Sequence, residues 1–237
     1  MAPSNAFEST EWSLVLAAST QGGPALDRLC RAYWRPIYVY IRASGVPASD
    51  AEDATQEFFA DMLRRDWLKL VDQDRGSFRG FLHHSVRLFL NNRRRQALAQ
   101  KRGGGASTIP IDTEEGEREL GRRAAGRTDP AGLYDQSWAD CVIEAALARL
   151  ATEQTKAGNG TFFQHLRAFL TCPPVPGEYA RLADDLRVPP GQIALRVHRL
   201  TQRFAEVIRA EVAATLADRS DVETELRHLV QLVSRQS

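Results

Sequence analysis

The sequence predicts an all-α protein, and three observations carry that prediction. Apolar residues recur at helical spacing along most of the chain, no run alternates apolar with polar residues, and no Asn-Gly or Asp-Gly pair joins two strand-like segments. The 237 residues are enough for one or two domains with a sizeable core. At 43% hydrophobic and 26% charged, the chain reads as globular rather than disordered.

The first helical body is expected over residues 1–102. A short helix is predicted near 11–19. A longer one covers 24–44, where Leu26, Leu29, Tyr33, Ile37, Tyr40 and Ile41 form one stripe; Gly45 and Pro47 end it. Ser49 opens the next helix, with Glu52 completing a Ser-x-x-Glu capping box, and this helix runs to about residue 70. Residues 71–77 form a loop before a last helix at about 78–100. Residues 103–130 are glycine-rich, hold two prolines and lack an apolar stripe, so they read as a linker.

The second body is expected over 131–217. Its helices fall at about 134–151, with Trp138, Val142, Ile143, Ala146 and Leu150 in register, then at 161–170, 177–186 and 190–216, with a break at 171–177. Residues 218–237 add a final helix. It starts at Ser220, with a capping box to Glu223, and its stripe of Val222, Leu226, Leu229, Val230 and Val233 is expected to pack on the second body.

Net charge is only +1, yet the charge is segregated. Residues 43–63 hold five acids and no base. Of these, Asp50, Asp53, Glu57 and Asp61 are spaced three, four and four, which puts them on one helical face. The first acids suit a helix N-terminus. Glu57 and Asp61 lie past the first turn, with no base four residues on to pair with. Residues 75–111 hold eight bases and no acid, and 112–119 hold five acids against Arg118. In the helix at 78–100, Phe78, Phe81, Leu82, Val86, Phe89 and Leu90 have core spacing. Arg79, His83, Arg87, Asn91 and Arg94 form a separate stripe of cations and amides, the chemistry that meets phosphates and base edges. An uncompensated basic block calls for an anion, and nucleic acid is the expected one. Of the 31 basic residues only Lys69, Lys101 and Lys156 are lysines, which favours forked arginine contacts.

In the second body, Tyr179, Leu182, Ala183 and Leu186, then the turn RVPPG, then Ile193, Val197, Leu200, Phe204 and Ile208 match a helix-turn-helix. Its second helix carries Arg196, Arg199 and Arg203 on a separate face.

Other chemistries lack their residues. No phosphate-binding glycine loop follows a strand. Cys30, Cys141 and Cys172 are odd in number and far apart, so neither a disulfide framework nor a zinc site is expected. His83 and His84 are adjacent and do not share a helix face; no metal and no cofactor is expected. No apolar run reaches a membrane span, and the N-terminus lacks a basic start followed by an apolar stretch. The expectation is a non-enzymatic cytoplasmic protein with no membrane partner.

Three segments together resemble bacterial RNA polymerase sigma factors of the extracytoplasmic-function type: YWRPIYVYIRASGVPASDAEDATQEFFADML (33–63), SFRGFLHHSVRLFLNNRRR (77–95) and EYARLADDLRVPPGQIALRVHRLTQRF (178–204). The resemblance implies a region two domain at 1–102, a linker at 103–130, a region four domain at 131–217 and an extra C-terminal helix. It implies two partners, core RNA polymerase through the clamp of its largest subunit and its flap, and promoter DNA; an anti-sigma protein is a further candidate. Asp50, Asp53, Gln56, Glu57, Phe58 and Asp61 would dock on the clamp. Arg75, Arg79, His83, Arg87, Asn91, Arg94 and Arg95 would contact the minus-ten element. Gln192, Arg196, Arg199 and Arg203 would contact the minus-thirty-five element. The chain departs from the family pattern at Leu88, where an Asn is common, at Asn92, where an Asp is common, and at Ala194 and Leu195 on the recognition helix. The alternatives are a sigma-like regulator that does not initiate, and an ordinary helix-turn-helix repressor that dimerises through residues 220–236.

Overall fold

A computed structural model of the chain describes residues 24–64, 78–99, 116, 118, 129–214 and 222–234. Every regular element among them is helical: α1 (Pro24–Ala43), α2 (Ala48–Arg64), α3 (Phe78–Ala99), α4 (Pro130–Lys156), α5 (Gly160–Leu166) with a 3-10 turn (Arg167–Leu170), α6 (Glu178–Leu186), α7 (Pro190–Ala214) and α8 (Val222–Ser234). The helix expected near 11–19, the loop at 71–77, the Ser220 cap and most of the expected linker lie outside the described residues.

The chain divides into two compact units. One holds Ser9–Cys141 and Val212–Ser237, the other Met1–Glu8 and Val142–Glu211. These limits differ from the sequence-expected ones at 102, 103–130 and 217. α4 is one continuous helix that starts before the expected residue 134. Asp129 caps it: its Oδ1 accepts from the Ala131 N–H at 3.2 Å and its carbonyl from the Leu133 N–H at 3.1 Å. Pro130 then occupies the first helical position, where its missing N–H costs nothing.

In the first unit, Gly45 at φ +92° turns the chain from α1 into α2, and Arg42 Nη1 donates to the Val46 carbonyl at 2.8 Å across that turn. The expected capping box at Ser49 does not form. The helix starts one residue earlier, at Ala48, and Ser49 Oγ donates to Asp50 Oδ1 at 2.8 Å instead. Tyr33, Ile37 and Ile41 of α1, Ala51, Ala54, Phe58 and Met62 of α2, and Phe78, Leu82 and Val86 of α3 are buried, joined by Tyr134 and Trp138 of α4. Aromatic edges knit them together. The Tyr33 and Phe78 rings are 5.2 Å apart, and those of Phe58 and Phe89 5.7 Å apart, both edge-on. Within the expected linker, Gly116 and Arg118 are helical, and Gly116 is buried; a Cβ there would stand 2.5 Å from Tyr38 Cδ1, so only glycine fits that approach.

The C-terminal helix corrects an expectation. α8 belongs to the first unit and not to the helix-turn-helix body. Its buried residues are Val222, Leu229 and Leu232, while Val230, expected in the stripe, is 63% exposed. A charged anchor fixes this register: Arg79 Nη2 on α3 donates to both oxygens of Glu225 on α8 at 3.1 Å.

The second unit is built on Ala146, Leu150, Phe163, Leu166, Ala183, Ile193, Val197, Leu200, Phe204 and Val207. The helix expected at 161–170 ends at Leu166 and tightens into the 3-10 turn. α6 stops where Arg187 takes φ +53°, and the Val188 N–H reaches back to the Ala183 carbonyl at 2.9 Å, a six-to-one closure. Pro190 then starts α7, so the two helices expected on either side of RVPPG are present and joined by a short turn. Beneath α7, Arg149 Nη1 pairs with Glu211 at 3.0 Å, and Glu211 is only 3% exposed.

Candidate functional site

On α2 the four spaced acids share a face as expected. Asp50, Asp53 and Glu57 are exposed and Asp61 is half-buried. Glu57 is not unpaired, however: Arg93, thirty-six residues on in α3, forms an ion pair with it. Two other residues assigned to this docking face are corrected. Phe58 is fully buried against Phe59 and Phe89. Gln56 is 8% exposed, and its Nε2 donates to Glu52 Oε1 at 3.3 Å. Both sit on the inward side of α2, one position off the acidic stripe, and have almost no surface to offer a partner.

The cationic stripe of α3 splits into two parts. Arg75 lies outside the described residues. Arg79 is turned inward, with its side chain 15% exposed. Nη1 pairs with Asp135 of α4, Nη2 with Glu225 of α8, and its guanidinium carbon lies 4.9 Å from the centre of the Trp138 ring. Tyr134 Oη donates to the Arg79 carbonyl at 3.0 Å. Burial works against the Arg79 charge, but Asp135 and Glu225 outweigh it and raise its pKa. His83 is half-buried between Tyr40 and Tyr134, each ring centre 5.1 Å away, and burial lowers its pKa. Arg79 is therefore a structural node and not an open DNA contact, and His83 is largely withdrawn.

The outer part is available. Arg87, Asn91, Arg94 and Arg95 are exposed, with Leu88 and Asn92 between them. Arg87 Nη2 lies 3.3 Å from His84 Nδ1, and Arg94 Nη2 donates to the Ser44 carbonyl at 2.6 Å, so neither spends its charge on a carboxylate. No acid occurs anywhere in α3.

On α7 the three arginines have different fates. Arg203 is held by Glu153, its Nε and Nη2 each 2.9 Å from a carboxylate oxygen, and by Glu206 at 2.7 Å. The Arg203 hydrogen bonds hold the Glu153 carboxyl below its ordinary pKa. Its fork is thus already occupied by carboxylates. Arg196 lies over the Phe162 ring at 4.2 Å, and Arg199 and Gln192 are exposed. Together with Gln154, Asn159, Phe162 and Leu195 they line an open groove of about 550 Å³. Sequence spacing does not single out Phe162 on α5, Gln154 near the end of α4 or Asn159 just before α5, because none lies on the two helices that flank RVPPG; Phe162 stands out only as half of an aromatic pair with the buried Phe163.

Among the described residues, no helix is long and apolar enough to cross a membrane, and no group of three His, Cys, Asp or Glu side chains is placed to hold a metal ion. No family model, curated protein or solved structure matches the chain.

Proposed function

We propose that this chain is a sigma factor, a subunit that binds core RNA polymerase and directs it to promoters, catalysing no reaction itself and needing no cofactor. The observation that carries the reading is the outer face of α3. It presents Arg87, Asn91, Arg94 and Arg95 to solvent on an acid-free helix, in the same unit as the exposed acids of α2. The first set suits phosphates and base edges, the second a basic protein surface. The pair of helices α6 and α7, read as a helix-turn-helix, with Arg196 and Arg199 in no ion pair among the described residues, would supply a second DNA-reading element. Burial of Val222, Leu229 and Leu232 of α8 within the chain favours this reading over a repressor that dimerises through α8, although Val230 stays exposed. Core polymerase, promoter DNA and an anti-sigma protein remain the partners this reading names. The test is co-elution of the purified chain with core polymerase in gel filtration: a stoichiometric complex is expected, and separate elution contradicts the reading.

Within α7 the two exposed-side arginines should separate. Arg199→Ala is expected to weaken binding to duplex DNA of any sequence and to flatten its salt dependence by about one unit of slope, with stability unchanged. Arg203→Ala should cost about 1 kcal/mol of stability, since Glu153 and Glu206 lose their shared partner at a half-exposed site, while the salt slope stays near that of the parent. DNA titrations at several salt concentrations, with urea unfolding of the same variants, check both.

A further inference from the structure

Arg79 belongs by spacing to the cationic stripe of α3, four residues before His83 and eight before Arg87. Its guanidinium nevertheless points away from that stripe, with one terminal nitrogen on Asp135 and the other on both oxygens of Glu225. Asp135 comes from α4, which supplies fully buried core residues to the unit. Glu225 comes from α8, a thirteen-residue helix at the chain's C-terminal end that buries three residues. The Arg79 and Glu225 side chains are 15% and 13% exposed, so the contact is largely shielded from water. A carboxylate and a phosphate present the same oxygens to a guanidinium fork.

We propose that α8 is an internal competitor of nucleic acid for Arg79: docked, it occupies Nη2 with Glu225 and keeps the arginine out of the cationic face of α3. When α8 lifts, Nη2 is free for a phosphate of DNA bound along Arg87, Asn91 and Arg94. The inference rests on the proposed DNA-binding role of that face and adds its regulation. It also fixes a reciprocal requirement. If α8 and DNA compete for one group, then whatever α8 docking takes from DNA affinity, DNA binding takes from α8 docking.

The test uses the full chain, alone and with core polymerase, and a duplex opened by a short bubble as the probe. Glu225→Ala leaves Arg79 paired with Asp135 but removes the arginine's hold on α8, so the helix lifts more readily and Nη2 is no longer covered by a carboxylate. The variant is expected to bind the probe about fivefold more tightly and with a salt slope steeper by about one unit, the mark of one added phosphate contact. In the wild-type chain, saturating probe should speed amide exchange in Val222–Ser234. This second arm needs no substitution and stands even where the variant folds poorly. Unchanged slope with unchanged exchange in α8 overturns the competition while leaving DNA binding by α3 intact. Absence of any probe binding by the wild-type chain, with or without core polymerase, overturns the DNA-binding reading itself and the competition with it.

Discussion

Replacing Arg79 by Ala is expected to destabilise the first unit by about 3 kcal/mol, because it strands two poorly hydrated carboxylates beside each other. Asp135 and Glu225 are 24% and 13% exposed at the side chain, and Arg79 pairs with both, while His228 Nε2 of α8, 3.5 Å from Asp135 Oδ2, reaches only Asp135. The substitution also removes the guanidinium from the Trp138 ring and leaves a gap against one of the largest buried side chains. Thermal unfolding should shift down by roughly 10 °C. Amide exchange in α8 should rise, since Glu225 loses its anchor. Arg87→Ala, eight residues on and exposed, is the control and should move stability by less than about 0.5 kcal/mol. A shift of that small size for Arg79→Ala would mean the cluster is spread over the surface and holds nothing together.

The second large effect concerns the acidic face of α2. Asp50→Lys with Asp53→Lys is expected to weaken binding to core polymerase at least about thirtyfold, because a basic docking surface would then face like charge. Both residues are exposed, and neither pairs with a cation within the described structure, so the fold should be retained. Glu57 is left untouched, which keeps its pairing with Arg93 and separates docking from fold. Co-elution and titration against labelled core polymerase measure it. Unchanged affinity would move the docking site elsewhere on the chain.

Local periodicity made much of the architecture legible. The stripe from Tyr33 to Ile41, the core spacing of Phe78, Leu82, Val86 and Phe89, and the turn between Leu186 and Pro190 all lie within one or two helices, where sequence spacing is spatial spacing. What was not legible joins distant segments. Arg79 looks like a surface cation until Glu225, 146 residues away, is placed beside it. Glu57 looks unpaired until Arg93 arrives from the next helix. Arg203 reads as a DNA contact until Glu153, fifty residues earlier, takes its fork. Phe58 differs for another reason: its segment resembles a docking motif whose apolar members go with its acids, although Ala51, Ala54, Phe58 and Met62 have the spacing of an inward face. The start of α4 is legible in Asp129-Pro130, a cap followed by a first-turn proline, although the glycine-rich composition before it suggests that the linker runs on to residue 130.

The proposed sigma role requires that core polymerase start at promoters only when this chain is present. The direct measurement is transcription in vitro, with purified core polymerase of the same organism, genomic DNA as template and the chain added or withheld, followed by mapping of RNA 5′ ends. The account predicts discrete start sites that appear only with the chain and vanish with the Asp50→Lys, Asp53→Lys variant. Start sites that are the same with and without the chain, under conditions where it binds DNA, would contradict it.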